Sequence, residues 1–158
     1  MRTFIFDLDD TLLDTTGTIL APDFTLEKMG LLPGAKEVLA LEGVRKILVS
    51  AGNEERQKEK IRLLEILSFF EEIHITPNDA GKLGVFRSVA SRFHASSEKI
   101  VVVGNRVDSE IRYGNICGFI TVLLRHGKHQ SILPKDRWER PNFTIISLMD
   151  LSKVVLSK

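Results

Sequence analysis

Apolar residues along this chain follow two rhythms. Continuous, largely β-branched runs occur at Thr3–Phe6, Arg45–Val49, Glu72–Ile75, Ile100–Val103, Phe119–Leu124 and Phe143–Ile146. Runs without polar alternation are expected of strands buried on both faces, as in a parallel sheet. The segments between them repeat with a helical period. Phe86, Val89, Ala90 and Phe93 fall at i, i+3, i+4 and i+7, and Leu148, Leu151 and Val155 follow nearly the same spacing. Pro33, followed by Gly34 and Ala35, suits a first helical turn, and Asn53 suits a cap on a helix running through Ile61, Leu64 and Leu67. Strands alternating with helices at this spacing predict an α/β fold: a three-layer, Rossmann-like parallel sheet with helices on both faces.

Composition leaves that picture unchanged and narrows the setting. The 158 residues suit one domain spanning 1–158, with 43% hydrophobic and 27% charged residues. No apolar run approaches the ~20 residues of a membrane helix. The opening Met1–Phe6 runs too soon into acids for a signal peptide and reads as the first strand. A formal net charge of +1 supplies no global field for nucleic acid or an anionic membrane. The single Cys117 excludes an internal disulfide and fits a reducing, cytoplasmic setting.

In an open parallel sheet, ligands bind beyond the carboxyl ends of the strands. Those ends carry Asp7, Leu8, Asp9, Asp10 and Thr11; Ser50, Ala51, Gly52 and Asn53; Asp79 to Lys82; and Gly104, Asn105, Arg106, Val107 and Asp108. Asp7 and Asp9 are two apart, and neighbouring carboxylates repel unless a cation or a proton lies between them. Hard oxygens of this kind suit Mg²⁺. A carboxylate is also a nucleophile, and a second one beside it can serve as acid and base. On spacing alone, the pair serves equally well as turn-capping acids. Ser50 stands where an anion would meet a hydroxyl and a helix start, or where a plain turn would form. With Asp79 as the expected cap, Lys82 falls in a first helical turn, where the helix dipole disfavours a cation. A bound phosphate would reverse that sign; the alternative is a solvated lysine.

These residues resemble the haloacid dehalogenase superfamily. Phe6-Asp7-Leu8-Asp9-Asp10-Thr11-Leu12 is similar to its first signature, Ile47-Leu48-Val49-Ser50 to its second, Lys82 with the following amphipathic helix to its third, and Val102 through Ile111 to its fourth. The resemblance implies that Asp7 is the nucleophile and a Mg²⁺ ligand, and that Asp9 is the general acid/base and a ligand through its carbonyl. Thr11, Ser50, Ala51 and Lys82 would hold the phosphoryl group. Asn105 would take the remaining metal position, with Asp108 and Glu110 nearby. The implied activity is a Mg²⁺-dependent phosphomonoester hydrolase with an aspartyl-phosphate on Asp7. Relatives usually have Asp where this chain has Asn105, so the competing expectation is a weak or inactive relative that binds a phosphorylated ligand or a partner. Asp9 argues against a dehalogenase, because true dehalogenases lack it.

Length bears on the substrate. Only 38 residues separate Thr11 from Ser50 and 31 separate Ser50 from Lys82, which leaves no room for an inserted cap domain. Residues 12–20, with Thr16-Gly17 as a turn, match the length of the family's flap hairpin. In relatives an open site of this type goes with macromolecular substrates, or with homo-oligomers whose neighbour covers the site; the expected substrate is a phosphorylated small molecule or macromolecule.

The irregular segment 125–142 is locally basic: Arg125 to Arg140 holds five Lys/Arg, two His and two acids. It reads as a solvated loop or as a surface for a substrate or a subunit, with Trp138 as an anchor. His126 and His129 have no evident partner for a zinc site, His74 reads as structural, Cys117 as a buried thiol, and Arg106 as a salt-bridge or substrate residue.

Overall fold

The computed structural model describes residues 1–155, with the backbone alone at Leu26. Six strands form one fully parallel sheet: β1 (Arg2–Phe6), β2 (Val44–Ala51), β3 (Glu72–Thr76), β4 (Ile100–Gly104), β5 (Ile120–Leu124) and β6 (Phe143–Ile145). Their order across the sheet is β3-β2-β1-β4-β5-β6. Helices α1 (Ala35–Leu39), α2 (Glu54–Leu63), α3 (Lys82–Arg92), α4 (Arg112–Ile116) and α5 (Leu151–Val155) complete the three layers.

Strand residues alternate between two cores because successive side chains leave a strand on opposite faces. Phe4, Phe6, Leu48, Val101 and Val103 pack with Val38 and Leu39 of α1, Ile61 of α2, and Leu151 and Val155 of α5. Ile5, Ile47, Val49 and Val102 pack with Phe86 and Val89 of α3 and with Phe119. The inner stretches of β1, β2, β4 and β5 are therefore buried on both faces, which is why the sequence shows runs and not alternation there.

The chain passes from β1 outward to β2 and β3, then returns to the other side of β1 for β4. That reversal opens a crevice outside the carboxyl ends of β1 and β4. Between Thr11 and Ser50 lie short turns, α1 and most of β2; between Ser50 and Lys82 lie α2 and β3. Among the described residues, no separate domain is inserted in either gap.

Local structure departs from expectation at five places. The helix expected through Leu67 ends at Leu63, and Leu67 opens a separate 3₁₀ turn. Residues 12–20 form no hairpin. Leu13 makes an isolated antiparallel bridge with Leu31, and Thr15–Ile19 is a single wide helical turn. Asp14 caps that turn by accepting from Gly17 N at 2.8 Å, and Asp10 accepts from both Thr16 N and Thr16 Oγ1 at 2.7 Å. Short polar side chains thus take the backbone donors that a strand ladder would need. The cap before α3 is Asn78, not Asp79: its side chain accepts from Gly81 N at 3.1 Å across a short 3₁₀ turn. Pro33 lies outside α1, whose first turn is entered through Gly34 at φ 87°. A Cβ on Gly34 would stand 2.7 Å from Met149 N, so glycine permits both the backbone angle and the close approach. Cys117 is half-buried, not fully buried, and burial pushes its thiol pKa up. Asn53 does cap α2, accepting from Arg56 N at 2.9 Å.

Candidate active site

β1 delivers Asp7 to the floor of the crevice, where its amide still donates to Val103 O of β4 at 3.1 Å. The Lys82 ammonium, at the start of α3, donates to Asp7 Oδ1 at 2.9 Å and to Glu110 Oε1 at 2.6 Å. Lys82, Asp7 and Glu110 are all buried. Burial, and then the Glu110 charge, raise the Asp7 carboxyl to about 7, against the opposing pull of Lys82. Burial alone would lower the Lys82 pKa, but the two carboxylates hold it above the ordinary lysine value. A lysine at the start of a helix and out of water is tolerable here because its counter-charges lie within hydrogen-bonding reach.

Asp9 lies across the cleft. Its Oδ1 accepts from Lys60 Nζ at 2.9 Å and from Thr15 Oγ1 at 2.7 Å, and its Oδ2 accepts from Gln57 Nε2 at 3.0 Å. Burial works to raise its pKa, yet Lys60 and these hydrogen bonds outweigh it and hold Asp9 below the usual carboxylate range. Gln57 also donates to Ser50 Oγ at 2.6 Å, linking Asp9 to the end of β2. Because Ser50 Oγ accepts from Gln57, its own O–H remains free to donate elsewhere.

The expected site residues are distributed as follows. Asp7, Asp9, Ala51, Lys82, Asn105 and Glu110 line one cleft of about 290 Å³. Ser50 is buried behind it and is reached through Gln57. Thr11 is also buried, and its hydroxyl donates to Asp7 Oδ2 at 3.3 Å, so it steadies the carboxylate from below. Glu110 is committed to Lys82. Asp108 takes two hydrogen bonds from Arg106, which also bridges to Asp79 at 3.0 Å. Arg106 is therefore a salt-bridge residue, with its pKa raised by Asp108 despite partial burial.

Asn105 is buried beside Asp7 and the Asp9 carbonyl. With its amide nitrogen turned inward it donates to Asp9 O and to Asp7 Oδ2, each at 3.2 Å; the opposite orientation sets oxygen against oxygen.

Gln57 and Lys60 were not singled out from the sequence, although a signal was present. Gln57, Lys60, Ile61 and Leu64 form an i, i+3, i+4, i+7 stripe, and two polar residues on the inner stripe of a helix need buried partners. Thr15 and the partners of His126 were also missed. His126 Nε2 lies 2.9 Å from Asp14 Oδ1 and 3.6 Å from Asp10 Oδ1, so carboxylates do face it. The pairing ties the 125–142 segment to the Thr15–Ile19 turn, with Lys128 N donating to Thr16 Oγ1 at 3.0 Å. Farther along that segment, Asn115 holds the Trp138 and Arg140 carbonyls, so much of the segment is fastened to the fold. His74 takes part in a surface cluster with Glu72 and Arg92.

Known proteins align with this arrangement. The HAD-hydrolase-like family model matches residues 80–151. The glyceraldehyde 3-phosphate phosphatase of Methanopyrus kandleri is 34% identical over 110 residues, covering 68% of this chain and 47% of that protein. The chain belongs to the haloacid dehalogenase superfamily. The enzyme of the same name from Pyrococcus furiosus is 29% identical over 130 residues, covering 78% of this chain and 54% of the relative. The chain thus spans about half the length of the curated relatives it matches. The superfamily fold recurs in the putative HAD-hydrolase YfnB of Bacillus subtilis, with a TM-score of 0.76 at 17% identity, covering 98% of each chain. A haloacid dehalogenase-like family protein from Streptococcus pneumoniae also gives 0.76, at 13% identity over 98% of each chain. No helix among the described residues of this superfamily member is long and apolar enough to cross a membrane.

Proposed function

We propose that this chain is a Mg²⁺-dependent phosphomonoester hydrolase working through an aspartyl-phosphate on Asp7. The observation that carries the reading is the meeting of Asp7, Asp9, Lys82 and Asn105, from two strand ends and a helix start, in one small cleft. The names of the curated relatives support it and make a small phosphorylated metabolite the first substrate class to test.

Asp7 Oδ1, the oxygen Lys82 holds, attacks phosphorus, and the bond to the leaving oxygen breaks. Asp9, once protonated, gives its proton to that oxygen; as a carboxylate it then takes a proton from the water that attacks phosphorus. Phosphate departs and Asp7 is regenerated. Lys82 favours the ionised form of Asp7 against burial and, with the Ser50 hydroxyl, offsets charge on the phosphoryl oxygens. Asp7 Oδ2, the Asp9 carbonyl and the Asn105 side-chain oxygen are hard oxygens that fit Mg²⁺, since the end of the Asn105 side chain lies 3.2 Å from each of the other two and its amide can turn to present oxygen. When bound, Mg²⁺ would neutralise charge on the phosphoryl group. The reading includes a cytoplasmic location, which the lone Cys117 suits.

One observation favours a second reading, a phosphate-ligand binder with little turnover. The inward Asn105 amide satisfies the two oxygens that a cation would claim, and it brings no negative charge. Phosphate release from a panel of small phosphoesters, with Mg²⁺ and with chelator, separates the two. Metal-dependent release supports the hydrolase; binding without release supports the binder. Asn105→Asp is expected to tighten Mg²⁺ binding about tenfold or more by titration calorimetry, because ligand charge sets affinity. Unchanged affinity would remove Asn105 from the ligand set.

A further inference from the structure

The cleft has a floor and a mouth, and their charges are matched differently. On the floor, Asp7 and Glu110 share Lys82. On one wall, Asp79 and Asp108 share Arg106. Asp9 holds Lys60. Arg56 of α2 and Lys128 of the loop after β5 also line the cleft, together with Ile19 and Leu20. Neither Arg56 nor Lys128 makes an ion pair with an acid among the described residues, and both are exposed.

Arg56 is badly placed for the stability of its own helix. It lies in the first turn of α2, which opens at Glu54, where the helix dipole disfavours a cation. It is also four residues before Lys60, so two like charges stack on the face turned to the cleft. Lys60 offers three N–H donors, and the one acceptor it meets among the described residues is Asp9 Oδ1. An anion at the mouth would relieve both costs at once. Lys128 approaches the same opening from a loop fastened by its backbone to Thr16, so it brings a positive charge from a fixed position.

We propose that the substrate is a small phosphomonoester whose leaving group carries a second anionic group, a carboxylate, met at the mouth by Arg56 and Lys128. This rests on the phosphatase reading and deepens it. A cleft of about 290 Å³ suits a molecule of a few carbons, with the phosphoryl group on the floor and the carboxylate at the mouth.

The matched pair 3-phosphoglycerate and glyceraldehyde 3-phosphate tests it, since the two differ as acid and aldehyde on the same three-carbon frame. With Mg²⁺ present, kcat/KM is expected to be at least about tenfold higher for the acid. Arg56→Ala and Lys128→Ala should each raise KM for the acid by about tenfold, with kcat little changed and p-nitrophenyl phosphate turnover within about twofold of native. Arg56→Lys should keep most of the preference. Equal or better turnover of the aldehyde, or a preference untouched in both alanine variants, overturns the proposal. Titration calorimetry of the same pair on the Asp7→Asn protein reads the preference without chemistry. Tighter binding of the acid there, together with no phosphate release from any substrate by the native chain, would sink the hydrolase and sustain the recognition. Equal binding of both compounds there would overturn the recognition.

Discussion

Asp7→Asn is expected to abolish phosphate release while leaving the chain folded and, above neutral pH, more stable than native. Loss of a nucleophile acts on the order of 10⁴-fold or more in turnover. Stability should move the other way, because the native Asp7 carboxyl is raised from 3.8 to about 7 by burial and by Glu110. A carboxyl whose folded pKa is raised binds its proton more tightly in the folded state. Its contribution is fully present below about pH 4 and is lost as pH climbs through about 7. Asparagine carries no such loss. In metal-free buffer, the melting temperature of the variant relative to native should therefore rise between pH 5 and pH 8. The gain at the upper end should be on the order of 1–3 kcal/mol. Adding Mg²⁺ should narrow the gap by stabilising the native chain. Metal-dependent turnover that survives the substitution would remove Asp7 as nucleophile. A melting difference that does not change with pH would mean that burial and Glu110 do not raise the Asp7 carboxyl.

Lys82→Met should be the most destabilising single change in the cleft. It leaves Asp7 and Glu110, both buried, facing each other without the cation that lies 2.9 and 2.6 Å from them. Breaking a buried pair by removing one partner costs about 3–5 kcal/mol. For a chain of this size, that is a fall of roughly 10 °C in melting temperature. Lys82 has a raised folded pKa, so its contribution is complete at every pH below the ordinary lysine value of 10.5 and is lost only above it. The deficit of the variant should instead shrink on acidification, as the orphaned carboxylates take up protons. Lys82→Met combined with Glu110→Gln should recover part of the loss, and calorimetry on the four proteins gives the coupling directly. A loss under about 1 kcal/mol, or additive losses, would mean that the three groups do not stabilise one another.

The fold was legible because its strands are buried on both faces. A run such as Ile100-Val101-Val102-Val103 has few other uses in a chain with ordinary charge, and all six strands appear where such runs predict them. Asp7, Asp9, Lys82 and Asn105 were legible because parallel topology delivers strand ends to one edge. What sequence could not show was which neighbour each polar group chooses. Asp9 finds Lys60 and Gln57 about fifty positions away, and Asp14 finds His126 more than a hundred away. Asp108 lies within the fourth signature, yet it turns to Arg106, two residues before it. The 12–20 stretch misled for a local reason: Asp10 and Asp14 seize its backbone donors, and helical turning is what remains.

The position of β1 at the centre of the sheet has a consequence for how the protein is made. This strand is synthesised before β2 to β6, but Asp7 is fixed by Val103 of a strand synthesised far later. Until β4 docks, the amide of Asp7 has no carbonyl to meet, and neither Asn105 nor Glu110 is in place. An N-terminal portion halted before β4 would expose β1 along one unpaired edge, a surface open to wrong pairing. Such high sequence separation between partner strands slows folding. Nascent chains that have not yet reached Asn105 should thus be clients for chaperones, and Asp7 acquires its surroundings only after β4 is made.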